Sequence, residues 1–156
     1  MNAVDLEVLY AQLAVFQADI TQPFNNWTDT HVAQGFSWRP GSVSFRTLDE
    51  AGEVHVEVIH PLEEVQMSSS AVRIISVPFS VSDCGQIEIA TITRSQLISI
   101  EPGEYELTFE HGRNPDGKMW ARFCFSRALE RVEPRIIRAD SDLQPALNLL
   151  MFAEPA

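Results

Sequence analysis

Glu53, His55 and Glu57 stand at alternate positions, the spacing that lets neighbours on one face of a strand act on one ligand. Imidazole and carboxylate groups both bind transition metals, so the trio is a conceivable chelate. A complete site needs three or four convergent ligands, however, and spacing names no others. His60 lies five residues beyond His55, and His31 and His111 add no ligand pattern. Cys84 stands in a turn before Gly85, with nothing near it in sequence to lower its pKa, and Cys124 reads as a small packing residue. There is no Gly-x-Ser-x-Gly elbow and no phosphate-cradling glycine loop, and Lys118 is the only lysine. Carboxylate pairs abound, but an acidic surface supplies pairs without any acid–base role. The chain carries no enzyme signature and no cofactor site.

What remains are side chains suited to binding. Glu104, Glu106 and Glu110 fall on the face opposite Tyr105, Leu107 and Phe109, because strand side chains alternate. Glu53 and Glu57 form a second acidic row. Trp27 and Trp38 flank a short helix that opens at Asp29, in loops where aromatic side chains anchor contacts. These eight residues are the candidate partner-binding set.

Charge narrows the partner. The 156 residues hold 22 acids and 11 bases, a formal charge of −11. Residues 1–112 carry 16 acids and four bases, and residues 113–156 six acids and seven bases. Nucleic acid is excluded as a direct ligand, since phosphate binding needs clustered Lys and Arg. A basic protein partner suits such a surface. The first residues have neither a positive region nor an apolar stretch of a secretory signal, and no apolar run reaches the ~20 residues that span a bilayer. Two cysteines make no disulfide framework. A cytoplasmic location is the expectation, with no membrane partner; oligomeric state is left open.

The elements that must position these residues are strands. Residues 77–110 read as four strands with sharp turns, and Val77, Phe79 and Val81 share one face. Residues 5–18 read as one long apolar strand, central or bending between sheets, with a helix as the rival reading. Thr28 is an N-cap for a helix over 29–34, and Gly35 its stop. A strand over 43–47 leads through a hairpin at 49–52 into Val54, Val56 and Val58, which point inward. Residues 61–70 read as a mobile loop. Met119, Ala121, Phe123 and Phe125 form another inward face; a strand interrupted by Pro134 follows over 130–138, and Leu143, Leu147 and Leu150 suggest a short C-terminal helix or tail. The expectation is a single all-β domain over 1–156: an antiparallel β-sandwich or partly closed barrel with one short helix.

Within this pattern lie Val15-Phe16-Gln17 with Asp19, Trp27-Thr28-Asp29, Gly35-Phe36, Val43-Ser44-Phe45, Val77-Pro78-Phe79 with Val81, Gly85-x-Ile87-x-Ile89, and Gly103-x-Tyr105-x-Leu107-Thr108. In order and spacing, over about residues 5–125, the chain resembles the competence protein J family. It departs in a longer loop at 61–70 and in an extension over about 131–156. The resemblance implies a protein that binds and silences a deoxyribonuclease and has no catalytic residues of its own. The physics agrees, because a rigid acidic surface can fill a cleft built for phosphates. An immunity protein paired with a toxin nuclease would use the same mechanism. The alternative from another class is a small-molecule- or metal-binding β-fold protein, which predicts an apolar pocket of ~300 Å³ or more.

Overall fold

In a computed structural model, residues 2–62 and 67–156 are described, and part of the loop expected over 61–70 lies outside them. The N-terminal apolar run is two strands, not one: β1 (Asn2–Val8) and β2 (Gln12–Gln17). Between them Tyr10 and Ala11 take φ of 59° and 55°, a left-handed corner that a non-glycine residue adopts at a cost of about 1–2 kcal/mol each. The corner carries the chain from one sheet to the other. It is held by Ala11 N–H donating to the Glu50 carbonyl (2.8 Å) and Thr47 N–H donating to the Ala11 carbonyl (2.9 Å).

The helix α1 (Asp29–Gln34) forms where expected. Thr28 caps it, Gly35 ends it at φ 88°, and the His31 ring takes the acceptor role that Glu usually fills in a capping box. The stretch around Trp38, expected as loop, is instead a strand, β3 (Phe36–Arg39), and it pairs with β4 (Ser42–Arg46). The turn at 49–52 is not a hairpin. It crosses from β4 in one sheet to β5 (Gly52–Leu62) in the other.

The remaining strands are β6 (Arg73–Val81), β7 (Gln86–Ala90), β8 (Ser95–Ser99), β9 (Gly103–Arg113), β10 (Met119–Arg127) and β11 (Arg135–Arg138). A six-stranded sheet runs β1-β5-β10-β9-β6-β11 and a five-stranded sheet β3-β4-β2-β7-β8. All pairings are antiparallel except β5 with β10, which is parallel. The result is the sandwich that alternation predicted, with β5 in the interior of its sheet.

Alternation also builds the core. Val54, Val56, Val58, Leu107, Phe109, Phe123 and Phe125 face Leu13, Val15, Val43, Phe45, Ile87 and Ile89 across the two sheets, all of them buried. Phe45 of the smaller sheet stacks on Phe109 of the larger at 4.5 Å between centroids.

The C-terminal leucines form no helix. Pro145 lacks a backbone donor and biases Gln144 away from helical dihedrals, so the segment runs as an extended tail. Its polar groups are satisfied by the body instead. Gln144 N–H donates to the Ala33 carbonyl, the Gln34 amide bonds both backbone groups of Leu150, and Asn26 N–H donates to the Glu154 carbonyl. Leu143 packs in the core against Gly35, whereas Leu147 is exposed.

His111 lies at the end of this core, buried and stacked on Phe109 at 5.2 Å. Its Nδ1–H donates to the Trp120 carbonyl (2.7 Å) and its Nε2 accepts from Leu48 N–H (3.0 Å), so both nitrogens are satisfied in the neutral ring. Burial pulls its pKa from 6.5 to about 4. Because the folded value is depressed, the stabilisation is complete above pH 6.5 and is lost as pH falls toward 4, by roughly 3 kcal/mol. Urea midpoints should fall across that window, and His111→Gln, which cannot titrate, should flatten that limb of the profile.

Candidate partner-binding surface

The two acidic rows that sequence placed on separate strands share one surface, the outer face of the six-stranded sheet. Glu57 pairs with Arg122 across β5 and β10, and Arg122 with Glu110 across β10 and β9. Partners in register point to the same side, so Glu53, Glu57, Glu104, Glu106 and Glu110 all face outward from this sheet.

Their surroundings differ. At one end, β1 adds Asp5 opposite His55 and Glu7 opposite Glu53. His55 Nδ1 lies 2.7 Å from Asp5 Oδ1, and its Nε2 lies 3.7 Å from Glu57 Oε1. Among the described residues, that imidazole is the only counter-charge within ion-pair distance of Asp5, Glu7, Glu53 or Glu57. Asp5 and Glu7 were missed by the sequence reading, although their alternation with Leu6 and Val8 announces the same face.

In the middle, Glu110 is not open to a partner. Its carboxylate is fully buried, 2.8 Å from the Arg122 guanidinium, and accepts from Ser68 N–H at 2.6 Å. The expected third member of the β9 row is a structural ion pair. At the far end, Glu106 accepts from Ser76 Oγ and lies 3.5 Å from Arg135, while Glu104 is exposed and accepts from Ser80 Oγ.

The tryptophans do not join this surface. Trp38 on β3 donates from Nε1 to the Pro78 carbonyl of β6 (2.8 Å), bridging the two sheets. Trp27 donates to Gln12 Oε1 (3.2 Å), on the outer side of the five-stranded sheet, with exposed Asp29 beside it at the start of α1. One flat partner cannot touch Trp27 and Glu53 together.

Other chemistry is scarce. Among the described residues, no three His, Cys, Asp or Glu side chains gather closely enough to hold a metal, Glu53, His55 and Glu57 included. Burial, followed by the neighbouring charge of Glu110, pushes the Cys124 thiol up to about 12, and Cys84 is exposed. A groove of about 1160 Å³ lies between the tail and the edge of the larger sheet, walled by Trp38, Pro78, Leu149 and Met151 and rimmed by Glu104 and Arg135.

The family model described as competence protein J (ComJ) matches residues 5–126. The chain belongs to the competence protein J family. The DNA-entry nuclease inhibitor of Bacillus subtilis (strain 168) is 30% identical over 105 residues, 67% of this chain and 76% of that protein. The crystal structure of ComJ, inhibitor of the DNA degrading activity of NucA, from Bacillus subtilis, superposes with a TM-score of 0.69 at 21% identity. That match covers 82% of this chain and 96% of the other, and it shows that the sandwich is the ComJ fold. The family match ends within β10, so β11 and the tail lie beyond it, whereas Asp5, Glu53, Glu57 and Glu104 lie inside it.

Two outcomes follow from the geometry. Glu110→Gln should lower stability by about 1–3 kcal/mol, since it removes the buried charge to which both the Arg122 guanidinium and the Ser68 N–H are bonded, while Glu53→Gln and Glu104→Gln should stay within about 0.5 kcal/mol in urea titrations. A disulfide reagent should label only Cys84 in the folded protein, and Cys124 as well once it unfolds.

Proposed function

We propose that the protein is a stoichiometric inhibitor of a deoxyribonuclease that binds its partner through the outer face of the six-stranded sheet. Membership of the ComJ family and a curated relative named as a DNA-entry nuclease inhibitor support the inhibitory role. The observation that carries the choice of surface is the end of the sheet at β1 and β5, where Asp5, Glu7, Glu53 and Glu57 stand on a rigid frame with His55 as their only described counter-charge. A nuclease presents a basic cleft to phosphate, and an uncompensated acidic sheet offers it the same sign of charge in a fixed array. The protein acts by occupying that cleft rather than by chemistry, and it takes its partner in the cytoplasm before the nuclease reaches its own site of action. It needs no nucleic acid contact.

The groove under the tail favours a second reading, a small-molecule-binding β-fold protein, since its size exceeds what such a ligand needs. Inhibition of a deoxyribonuclease by the protein alone, with no added small molecule, sets that reading aside.

Charge reversal separates the acidic ends. Glu53→Lys with Glu57→Lys should weaken inhibition of the partner nuclease at least ~10-fold and reduce its dependence on salt, because close interfacial charge pairs are worth about 1.5–7 kcal/mol. Glu104→Lys, beside the Arg135-paired Glu106, should have the smaller effect. Titration of nuclease activity against inhibitor at two ionic strengths reads both. Unchanged inhibition by the double variant would rule out this end of the sheet.

A further inference from the structure

A cavity of about 220 Å³ opens on this same acidic face. Its walls are His55 and Glu57 of β5, Trp120 and Arg122 of β10, Ser68 and Asn114. The indole is laid down by a glycine. Gly112 pairs with Trp120 across β9 and β10, and a Cβ at Gly112 would come within 3.0 Å of two indole atoms and 2.9 Å of the Ser70 carbonyl. Only a glycine there lets Trp120 lie against the sheet as one wall of the cavity. The Glu57 carboxylate, with a side chain 36% exposed, lines the same cavity from β5, and His55 beside it is paired with Asp5.

The charge in the cavity decides its occupant. The Arg122 guanidinium is committed to Glu110 at 2.8 Å, so the pair adds no net charge. Glu57 with Asp5, Glu7 and Glu53 nearby leaves the site negative and repels phosphate. At about 220 Å³ the cavity is far larger than a single water needs and has room for the planar end of a long side chain. An aromatic face with a carboxylate beside it is the chemistry that holds a guanidinium, which stacks through its plane and donates paired hydrogen bonds from its edge. The protein already uses the first half of it where Arg127 lies over the Tyr105 ring at 5.1 Å.

We infer that the cavity bounded by Trp120, His55 and Glu57 receives an arginine side chain of the partner nuclease, as the anchor of the interface. The inference rests on the inhibitor reading for its partner, but the cavity can be tested without one. In 15N-labelled protein, N-acetyl-arginine amide at millimolar concentration should shift the Trp120 indole N–H and the Asn114 amide, leaving the Trp27 and Trp38 indoles in place. The uncharged citrulline analogue should not produce those shifts, and Glu57→Gln should raise the apparent dissociation constant at least ~10-fold. No shift at Trp120, an equal shift with citrulline, or a shift with inorganic phosphate instead overturns the inference.

Inhibition assays keep the two readings apart. If the arginine probe binds as described and no deoxyribonuclease is inhibited, the inhibitor reading fails and the cavity stands. If the wild-type protein inhibits, and Trp120→Ala and Glu57→Gln, both shown folded by their spectra, inhibit equally well, the cavity is not the anchor and the inhibitor reading stands.

Discussion

A buried guanidinium sets the terms for this fold. Arg73 alternates with the core residues Ile75, Val77 and Phe79 on β6, and its side chain is fully buried. An unpaired charge there would cost several kcal/mol. Asp140 meets it with both carboxylate oxygens, at 2.7 and 2.9 Å, and the Arg46 carbonyl takes a third donor. Burial alone would raise the Asp140 pKa, but the hydrogen bonds and charge of Arg73 prevail and hold it below the usual carboxylate range. Arg46 belongs to the smaller sheet, β6 to the larger, and Asp140 to the tail. One side chain therefore joins three parts of the chain, and the tail beyond the family match completes the sandwich rather than trailing from it.

Such a frame matters for a surface whose proposed work is electrostatic. Charges on a β-sheet are held at fixed spacing, so a complementary partner meets an array already ordered and loses little entropy in arranging it. The same sheet also shows that acidity in sequence is not acidity at the surface. Glu110 serves Arg122 and the Ser68 backbone, and Glu106 leans on Ser76 and Arg135. Apart from Glu104 at the far end, what is left on this sheet to attract a basic protein gathers at the β1 and β5 end, where neighbours on adjacent strands lie well within a Debye length of about 8 Å.

Most strands were legible because alternation is a local signal: Val54 to Val58 and Tyr105 to Phe109 read correctly and bury as expected. The sandwich class and the family followed from the same segments. The misreadings have physical reasons. Tyr10 and Ala11 break a continuous apolar run by dihedrals that non-glycine residues seldom adopt, so nothing in their identity marks the corner. The turn at 49–52 has hairpin chemistry, and only the pairing partners reveal that it changes sheets. Glu110 looks like its neighbours until Arg122 is placed beside it by register. Acidic residues could be named from sequence, but which of them remain unpaired depends on cross-strand neighbours that sequence does not supply.

The parallel pairing of β5 with β10 joins Val54 to Met119, residues 65 apart in the chain. A contact of such span costs more loop-closure entropy than a hairpin does, and the chain must lose that freedom before the pairing repays it. Glu57, His55, Trp120 and Arg122 straddle this seam, and Asp5 and Glu7 hang from its far side. The acidic surface is consequently assembled from pieces that have no fixed relation until β1, β5 and β10 have paired. A nascent or half-folded copy would present its carboxylates one strand at a time, too dispersed to hold a nuclease, and the ability to bind would arrive in a single step with the native state.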